Sequence, residues 1–254
     1  MKITFLGTAG SILTAEKSFP SILIDEIMLL DCGEGTTQKL IQINSIDTLK
    51  SICLTHLHAD HFMGLFSLLW HYILTQRKND LTIYGPLNSK ETVEKIFVLT
   101  NFPGGLNALP FKIHFRELIN SSDIQEIHGE YKIKYVGMDH PIPAFAYRIE
   151  NNGKSICYSG DTKFTQKLIK LAEKSNIFIC ESTFPDKYAK FAEDYGHCTP
   201  SDAAKMARNA DCKKLVMVHI SPFFKEEIPI NDMQKIFNKE ILVAHDFMTL
   251  EILP

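Results

Sequence analysis

This sequence lacks paired cysteines. Its six cysteines are scattered and include no Cys-x-x-Cys pair: Cys32, Cys53, Cys157, Cys180, Cys198 and Cys212. A chain of 254 residues with 45% hydrophobic residues can build a core without cross-links. We therefore expect no disulfide framework, and the spacing excludes a cysteine-rich zinc site. Cys53, Cys157 and Cys180 lie in apolar runs, which predicts reduced, buried thiols and a reducing compartment.

Neither charge is in large excess, and no long apolar run occurs. The formal net charge is -3, so any polyanion would have to be held by a local patch rather than by a global field. The apolar run Phe62–Leu74 contains Gly64, Ser67 and His71 and is too short to span a membrane. The first residues have too short an apolar stretch for a signal peptide. We expect one cytoplasmic domain, residues 1–254, with no membrane partner.

Short apolar strands alternate with helical segments along the chain. The strand predicted at Ser51–Leu54 leads to His56, and the strand predicted at Lys214–Val218 leads to His219. A helix is predicted from His61 to Gln76 because apolar residues recur there at helical spacing. Two such halves predict an α/β (α+β) fold with a two-sheet core and outer helices. Catalytic groups are then expected at the carboxyl ends of strands.

The most informative stretch is Thr55-His56-Leu57-His58-Ala59-Asp60-His61, which places four metal-ligand residue types in six positions. In an extended segment, residues two apart point the same way, so His56 and His58 can hold one ion. Asp60 and His61 follow where the chain turns into the helix, and can face a second ion. Imidazole and carboxylate suit zinc, and also manganese or iron.

This motif after an apolar strand resembles the metallo-β-lactamase superfamily, and in particular its ribonuclease Z branch. The resemblance extends over nearly the whole chain and rests on these further segments: Phe5–Thr8, Asp31–Gly35, Tyr84–Pro86, Ser159–Thr162, Cys180–Phe184, Tyr195–Thr199 and Asp246–Met248. The fold that the resemblance implies is a four-layer αββα sandwich. The activity that it implies is metal-dependent hydrolysis of phosphodiester bonds.

The resemblance also implies two divalent metal ions, with zinc expected, and a ligand for each position. The implied ligands are His56, His58 and His140 for the first ion, Asp60, His61 and His219 for the second, and Asp161 as a bridge between them. Two adjacent cations lower the pKa of a water molecule between them, which yields hydroxide at neutral pH.

Three residues are expected to act on the reacting groups. Asp60 would orient or deprotonate the attacking water as well as bind metal. His197 would protonate the leaving oxygen or hydrogen-bond the phosphate, and Glu181 would fix the tautomer of His197. Apart from the resemblance, the favoured interpretation of Glu181 is a polar residue that caps the strand, and that of His197 is an exposed loop residue.

The remaining histidines are given structural interpretations. His71 is expected at the rim of the core, His114 on a strand and His128 in a polar turn. His245 precedes Asp246 in a terminal motif of the branch, so a peripheral role stays open beside the structural one.

Two features of tRNA-processing relatives are missing. Arm-bearing members carry a long tRNA-clamping insertion after the segment matching Tyr147-Arg148, but here the chain turns at Asn151-Asn152-Gly153 directly into Lys154–Tyr158. The loop Ser11–Phe19 offers Lys17 in place of an expected Arg-Asn pair.

Binding folded tRNA requires several phosphate contacts away from the reaction centre. Lysines such as Lys163, Lys167 and Lys187 share no evident face. We therefore expect small or single-stranded phosphodiesters to be cleaved better than precursor tRNA.

Three hypotheses follow from the sequence. The first is a phosphodiesterase that cleaves RNA 3′ ends or smaller phosphodiesters, including cyclic nucleotides. The second is another hydrolase on the same scaffold, acting on a lactam, thioester or sulfate ester. The third is a binding module without metal, which the complete ligand set argues against. A homodimer through the apolar face of Phe62–Leu74, with Trp70, is an open possibility that core packing explains equally well.

Overall fold

The computed structural model describes residues 1–101, 104–223 and 228–253. Over these residues the chain forms fourteen β-strands and eight α-helices. The strands are β1 (Lys2–Gly7), β2 (Ser21–Ile24), β3 (Met28–Leu30), β4 (Ser51–Cys53), β5 (Leu81–Gly85), β6 (Ile113–Glu117), β7 (Gln125–His128), β8 (Lys132–Gly137), β9 (Phe145–Asn151), β10 (Lys154–Tyr158), β11 (Ile177–Glu181), β12 (Lys214–Val218), β13 (Glu240–Val243) and β14 (Thr249–Glu251). The helices are α1 (Thr36–Gln42), α2 (Ala59–Phe62), α3 (Gly64–Leu74), α4 (Ser89–Leu99), α5 (Gln166–Ala172), α6 (Ala189–Tyr195), α7 (Pro200–Asn209) and α8 (Ile230–Ile236).

The strands form two sheets, each of seven strands in the described part of the chain. One sheet has the order β14-β1-β2-β3-β4-β5-β6 and the other β13-β12-β11-β10-β9-β8-β7. A buried apolar layer that includes Ile24, Tyr147 and Ile179 fills the space between the sheets. Helices α1, α3 and α4 cover the first sheet, and α5, α7 and α8 cover the second. The predicted four-layer αββα sandwich is therefore confirmed.

Local sequence explains why these elements form. All five residues of β11 are buried, as expected for a central parallel strand with both faces covered. Helix α7 begins at a capping box, in which the Thr199 hydroxyl accepts a hydrogen bond from the Asp202 amide while the Asp202 carboxylate bonds the Thr199 amide. Pro200 occupies the first turn, where its missing N–H costs nothing.

Two sequence-based expectations were wrong in detail. The helix predicted from His61 to Gln76 is instead two helices, α2 and α3, because the turn at Met63 tightens, with the Phe66 amide bonding the Met63 carbonyl at 3.2 Å. Gly64 follows this turn, and a Cβ there would lie 1.9 Å from the Gly33 carbonyl oxygen, so the chain must pack closely at this point. His128 is the last residue of β7 rather than part of a turn, since it pairs with Lys132 in an antiparallel ladder.

The exposed surface of α3 bears on the predicted oligomer. Met63, Trp70 and Leu74 are 42%, 47% and 66% exposed, whereas the opposite face is buried in the core. Pairing with a second chain through this surface stays a prediction. Among the residues that the structure describes, no helix is long and apolar enough to cross a membrane.

The carboxyl ends of the central strands of both sheets meet at one edge of the sandwich. There the two sheets are linked by a parallel bridge between Ala9 and Ile220, and the His219 amide donates to the Thr8 carbonyl at 3.2 Å. The segments that follow β3, β4, β8, β10 and β12 reach this edge and each carries a titratable residue, and β11 ends there at Glu181.

Candidate metal centre

The seven side chains proposed as metal ligands come together at this edge. His56, His58, His140 and Asp161 form one group of donor atoms, and Asp60, His61 and His219 form another, with the atoms of each group within 4.8 Å of one another. The strands explain the convergence. His56 follows β4, His140 follows β8, Asp161 follows β10 and His219 follows β12. A third group of close donor atoms, from Asp161, His197 and His219, overlaps these two, and the division of the ligands between two ions stays a prediction.

In the first group the donor atoms are nitrogens of three imidazoles and one carboxylate oxygen. His56 Nε2 lies 3.0 Å from His58 Nδ1, which lies 3.2 Å from His140 Nε2. Asp161 Oδ2 lies 3.7 Å from His56 Nε2. The four donors thus face a common point.

In the second group the corresponding donors are also close. His61 Nε2 lies 3.3 Å from His219 Nε2, and Asp60 Oδ2 lies 3.3 Å from His219 Nε2 and 3.6 Å from His61 Nε2. The other Asp161 oxygen, Oδ1, lies 3.3 Å from His61 Nε2. Asp161 therefore offers one oxygen to each group, as a bridging carboxylate must.

The donor set fits divalent metal ions. Zinc binds imidazole nitrogen at about 2.0–2.1 Å, so two nitrogens on one tetrahedral ion lie about 3.3–3.4 Å apart. The nitrogen–nitrogen separations of 3.0, 3.2 and 3.3 Å are close to this value. In addition, Asp161 Oδ1 is buried and has no hydrogen-bond partner among the described residues, which is costly unless a cation faces it.

The pKa shifts of three donor imidazoles suit metal binding. Burial is the main cause that lowers the pKa of His56 well below its usual value, and burial likewise lowers the pKa of His58 and His140. These imidazoles are therefore neutral and keep a lone pair for a metal ion.

His61 differs, because burial opposes its charged form but Asp161 and Asp31 outweigh burial and raise the pKa of His61 well above its usual value, so a metal ion would have to displace its proton. Burial opposes ionisation of Asp161, but attraction to His219 and His61 outweighs it and holds the pKa of Asp161 well below its usual value.

A buried carboxylate, Asp31, orients two of the imidazoles. His61 Nδ1 donates to Asp31 Oδ2 at 2.7 Å, which directs His61 Nε2 toward the second group. His56 Nδ1 lies 3.0 Å from the Thr55 hydroxyl, and that hydroxyl contacts Asp31 Oδ2 at 2.9 Å. Asp31 also accepts bonds from the Thr55 amide at 2.7 Å and from the Tyr158 hydroxyl at 2.9 Å. Such outer partners fix ring orientation and raise ligand basicity.

Two further imidazoles are held from behind in the same way. His140 Nδ1 donates to the Gly196 carbonyl at 3.0 Å. His219 Nδ1 lies 2.8 Å from the Thr183 hydroxyl, which in turn donates to Glu181 Oε2 at 2.6 Å. The far nitrogen of each ring is thereby occupied, and the near nitrogen is free for the centre.

Glu181 and His197 form a pair beside the two groups. Glu181 is fully buried, and its Oε1 accepts from His197 Nδ1 at 3.0 Å and from the Thr162 amide at 2.8 Å. Burial disfavours a charged imidazole, but the Glu181 carboxylate outweighs it and raises the pKa of His197 to about 9. His197 Nδ1 is thus committed to Glu181 and its Nε2 remains for a substrate atom. Cations bound by the neighbouring donors would lower that pKa again by repulsion.

Close backbone approach at Gly160 positions Asp161. Gly160 has φ +56°, and a Cβ there would lie 2.9 Å from both the Phe145 carbonyl oxygen and the Thr55 Cβ. Only glycine accommodates both the left-handed backbone and this contact. His219 and Asp31 also have positive φ, 56° and 59°, which is unusual for residues other than glycine and frequent at functional sites.

Sequence reasoning missed the roles of Asp31, Thr55 and Thr183. Asp31 was noted as part of a motif but not as a site residue. A signal was present, because Asp31 follows a buried strand just as Asp161 does. His245 lies outside the centre, is exposed and bonds the Asp246 carbonyl at 3.0 Å, in keeping with a structural role.

The comparisons with known proteins agree on the kind of fold. The family model of the beta-lactamase superfamily domain matches residues 27–220. Ribonuclease Z of Methanosarcina acetivorans is 29% identical, with 99% of this chain and 98% of that protein covered. That alignment runs over 307 positions for a chain of 254 residues, so the relative carries insertions that this chain lacks.

Solved structures extend the likeness to three dimensions. The short form of human tRNase Z is similar with a TM-score of 0.84 at 26% identity, and the match covers 100% of both chains. The metallo-beta-lactamase fold protein YhfI from Bacillus subtilis is similar with a TM-score of 0.81 at 20% identity and 99% coverage of each chain. The fold is therefore the metallo-β-lactamase fold.

Proposed function

This chain belongs to the beta-lactamase superfamily, and from that premise we propose that it is a dinuclear metal-dependent hydrolase that cleaves phosphodiester bonds of RNA. The observation that carries the proposal is the pair of buried donor groups sharing Asp161, with the Glu181–His197 pair beside them. Zinc is the metal that the imidazole-rich donor set favours, and manganese or iron are the alternatives.

The chain's own residues have distinct tasks in this proposal. Divalent ions held by the seven donors would supply Lewis acidity toward the phosphate and lower the pKa of water. Asp60 contacts the second donor group through Oδ2, which leaves its other oxygen to orient or deprotonate the attacking water. His197 donates the proton that the leaving oxygen needs, because Glu181 fixes its tautomer and its Nε2 is uncommitted.

RNA is the preferred substrate class because the similar proteins include ribonuclease Z from Methanosarcina acetivorans and the short form of human tRNase Z. A second candidate is a smaller phosphodiester. The observation in its favour is the tight hairpin between β9 and β10, in which Lys154 pairs directly with Asn151 and leaves no room for a clamping arm.

The test compares three substrates under one metal and salt condition: a 3′-extended precursor tRNA, a dinucleotide, and bis(p-nitrophenyl) phosphate. The proposal expects chelator-sensitive hydrolysis, with the RNA cleaved at its 3′ extension. Preference for the dinucleotide would favour the second candidate. Absence of hydrolysis of all three by the metal-loaded protein would refute the phosphodiesterase assignment and return attention to lactam, thioester or sulfate ester hydrolysis, or to a binding module.

A further inference from the structure

A basic cleft lies at the end of the second sheet opposite the metal centre. Its volume is about 460 Å³, and it surrounds the hairpin between β9 and β10. The residues that line it are Lys132, Arg148, Glu150, Asn151, Asn152, Gly153, Lys154, Ser155, Lys174, Asn176 and Lys213. Five of these side chains are cationic and one is anionic, in a chain whose formal net charge is -3.

Three of the cations are in no ion pair among the described residues. Arg148 pairs with Glu150 at 2.6 Å, and Lys132 pairs with Glu126 at 3.0 Å. By contrast, Lys154, Lys174 and Lys213 form no ion pair in the part of the chain that the structure describes. Lys154 lies beside the Met1 ammonium, and the carboxylate that Lys174 influences, Asp211, is already paired with Lys239. The cleft therefore carries a local positive field, which attracts a polyanion even though the protein as a whole is slightly negative.

The segments that bear these lysines are fixed to one another by hydrogen bonds. The Lys174 amide donates to the Ala210 carbonyl at 2.8 Å, and the Lys213 amide donates to the Ser175 carbonyl at 3.0 Å. The Asn176 side chain accepts from the Ser155 amide at 2.8 Å, which ties the start of β10 to the start of β11. The cations are thus presented by a preorganised frame, and a ligand need not order the backbone on binding.

We propose that the basic cleft binds the phosphate backbone of the RNA whose scissile bond lies at the metal centre. This rests on the proposed function, since it assigns a second contact to the same substrate. Lys154 begins β10 and Asp161 lies just beyond its end, so at about 3.3 Å per residue the cleft and the centre are roughly 20 Å apart. An RNA that contacts both must therefore extend over this distance along the protein surface.

The cleft also explains how a chain without a clamping arm can hold RNA. Phosphate contacts away from the reaction centre are what folded RNA requires. In this chain the cations for such phosphate contacts come from the loops that precede β11 and β12 and from the β9–β10 hairpin.

The test measures RNA binding by the full-length, metal-loaded protein. Binding is measured by fluorescence anisotropy at several salt concentrations, and a gel run afterwards confirms that the RNA is intact. The probe is a labelled single-stranded RNA of about 20 nucleotides. The variant Lys154→Gln/Lys174→Gln/Lys213→Gln is compared with a control that removes the same number of charges from exposed lysines elsewhere, Lys78→Gln/Lys95→Gln/Lys235→Gln. Thermal unfolding confirms that both variants are folded.

We expect the cleft variant to bind RNA at least about tenfold more weakly, and the slope of log affinity against log salt to fall by roughly 2, since each phosphate contact on a single strand contributes about 0.7. The control should retain the parent affinity. The inference would be overturned if the folded cleft variant bound RNA with the same affinity as the parent protein. It would also be overturned if the parent protein bound phosphatidylserine vesicles through the cleft but did not bind RNA. Hydrolysis of bis(p-nitrophenyl) phosphate by the parent protein is measured in parallel. Its absence would refute the proposed function while leaving cleft-dependent RNA binding intact.

Discussion

Replacing Asp31 by Asn is expected to weaken metal binding although Asp31 is not itself a proposed ligand. The carboxylate accepts hydrogen bonds from His61 Nδ1, the Thr55 amide, the Thr55 hydroxyl and the Tyr158 hydroxyl, at 2.7–2.9 Å. An amide in its place has the same shape but turns one acceptor into a donor. Whichever way it is oriented, an N–H then faces either the Thr55 amide or the His61 ring, and the carboxylate charge is lost.

The size of the effect follows from this geometry. Loss of an outer partner of a ligating imidazole reduces metal affinity by about 10- to 100-fold, which corresponds to about 1.4–2.8 kcal/mol. Because Asp31 is fully buried, the mismatched donor also lowers the free energy of unfolding by about 1–3 kcal/mol. The matched control is Asp246→Asn. Asp246 is a mostly buried carboxylate that pairs with Lys39 and accepts from the Thr8 hydroxyl and the Ser18 amide at 2.7 Å, and none of these partners is a proposed ligand.

The assay is competition for zinc between each protein and a chromophoric chelator, with thermal unfolding followed in parallel. Asp31→Asn should lose both stability and metal affinity, whereas Asp246→Asn should lose stability alone. If folded Asp31→Asn held zinc as tightly as the parent protein, the reasoning that Asp31 orients His61 and His56 would be refuted.

Two other substitutions test separate parts of the site. The His197→Ala variant should keep its metal content but cleave phosphodiesters more slowly by about 10² to 10⁴-fold. The loss should be smaller on p-nitrophenyl esters, because their leaving group needs less protonation. An emptied metal site would show that the role assigned to His197 is wrong. Gly160→Ala should lower the free energy of unfolding by more than Gly153→Ala, because both positions have positive φ but a Cβ at Gly160 meets Phe145 and Thr55 at 2.9 Å, while nothing lies within 4 Å at Gly153. Backbone strain is common to both variants, and the extra overpacking at Gly160 is worth about 1–3 kcal/mol. Calorimetry resolves this difference, and equal destabilisation would contradict the close-packing argument.

The sequence allowed the layers to be predicted, and it singled out donor-type residues that the fold brings together, because both have local signatures. Buried strands such as β12 are short apolar runs, and His219 stands directly after its run. By contrast, α1 and α6 were not predicted. Each has only seven residues, and helices this short owe their stability to tertiary packing rather than to their own propensity.

The features that sequence reasoning missed are those assembled from distant parts of the chain. The four donors to Asp31 come from residues 55, 61 and 158, and no spacing rule connects them. The basic cleft combines Lys154 at the start of β10 with Lys174 and Lys213 in two loops, and only the fold brings these three segments together. The sequence-based prediction rested instead on Lys163, Lys167 and Lys187, which share no evident face.

The central claim is that one chain holds two divalent ions on a shared Asp161. The most direct measurement is elemental analysis of the purified protein after reconstitution with zinc and removal of loosely bound metal. Two zinc ions per chain are predicted, falling to one or none when Asp161 is replaced by Ala, since that change removes an oxygen from each donor group. One tightly held ion, or none, in the parent protein would contradict the dinuclear centre.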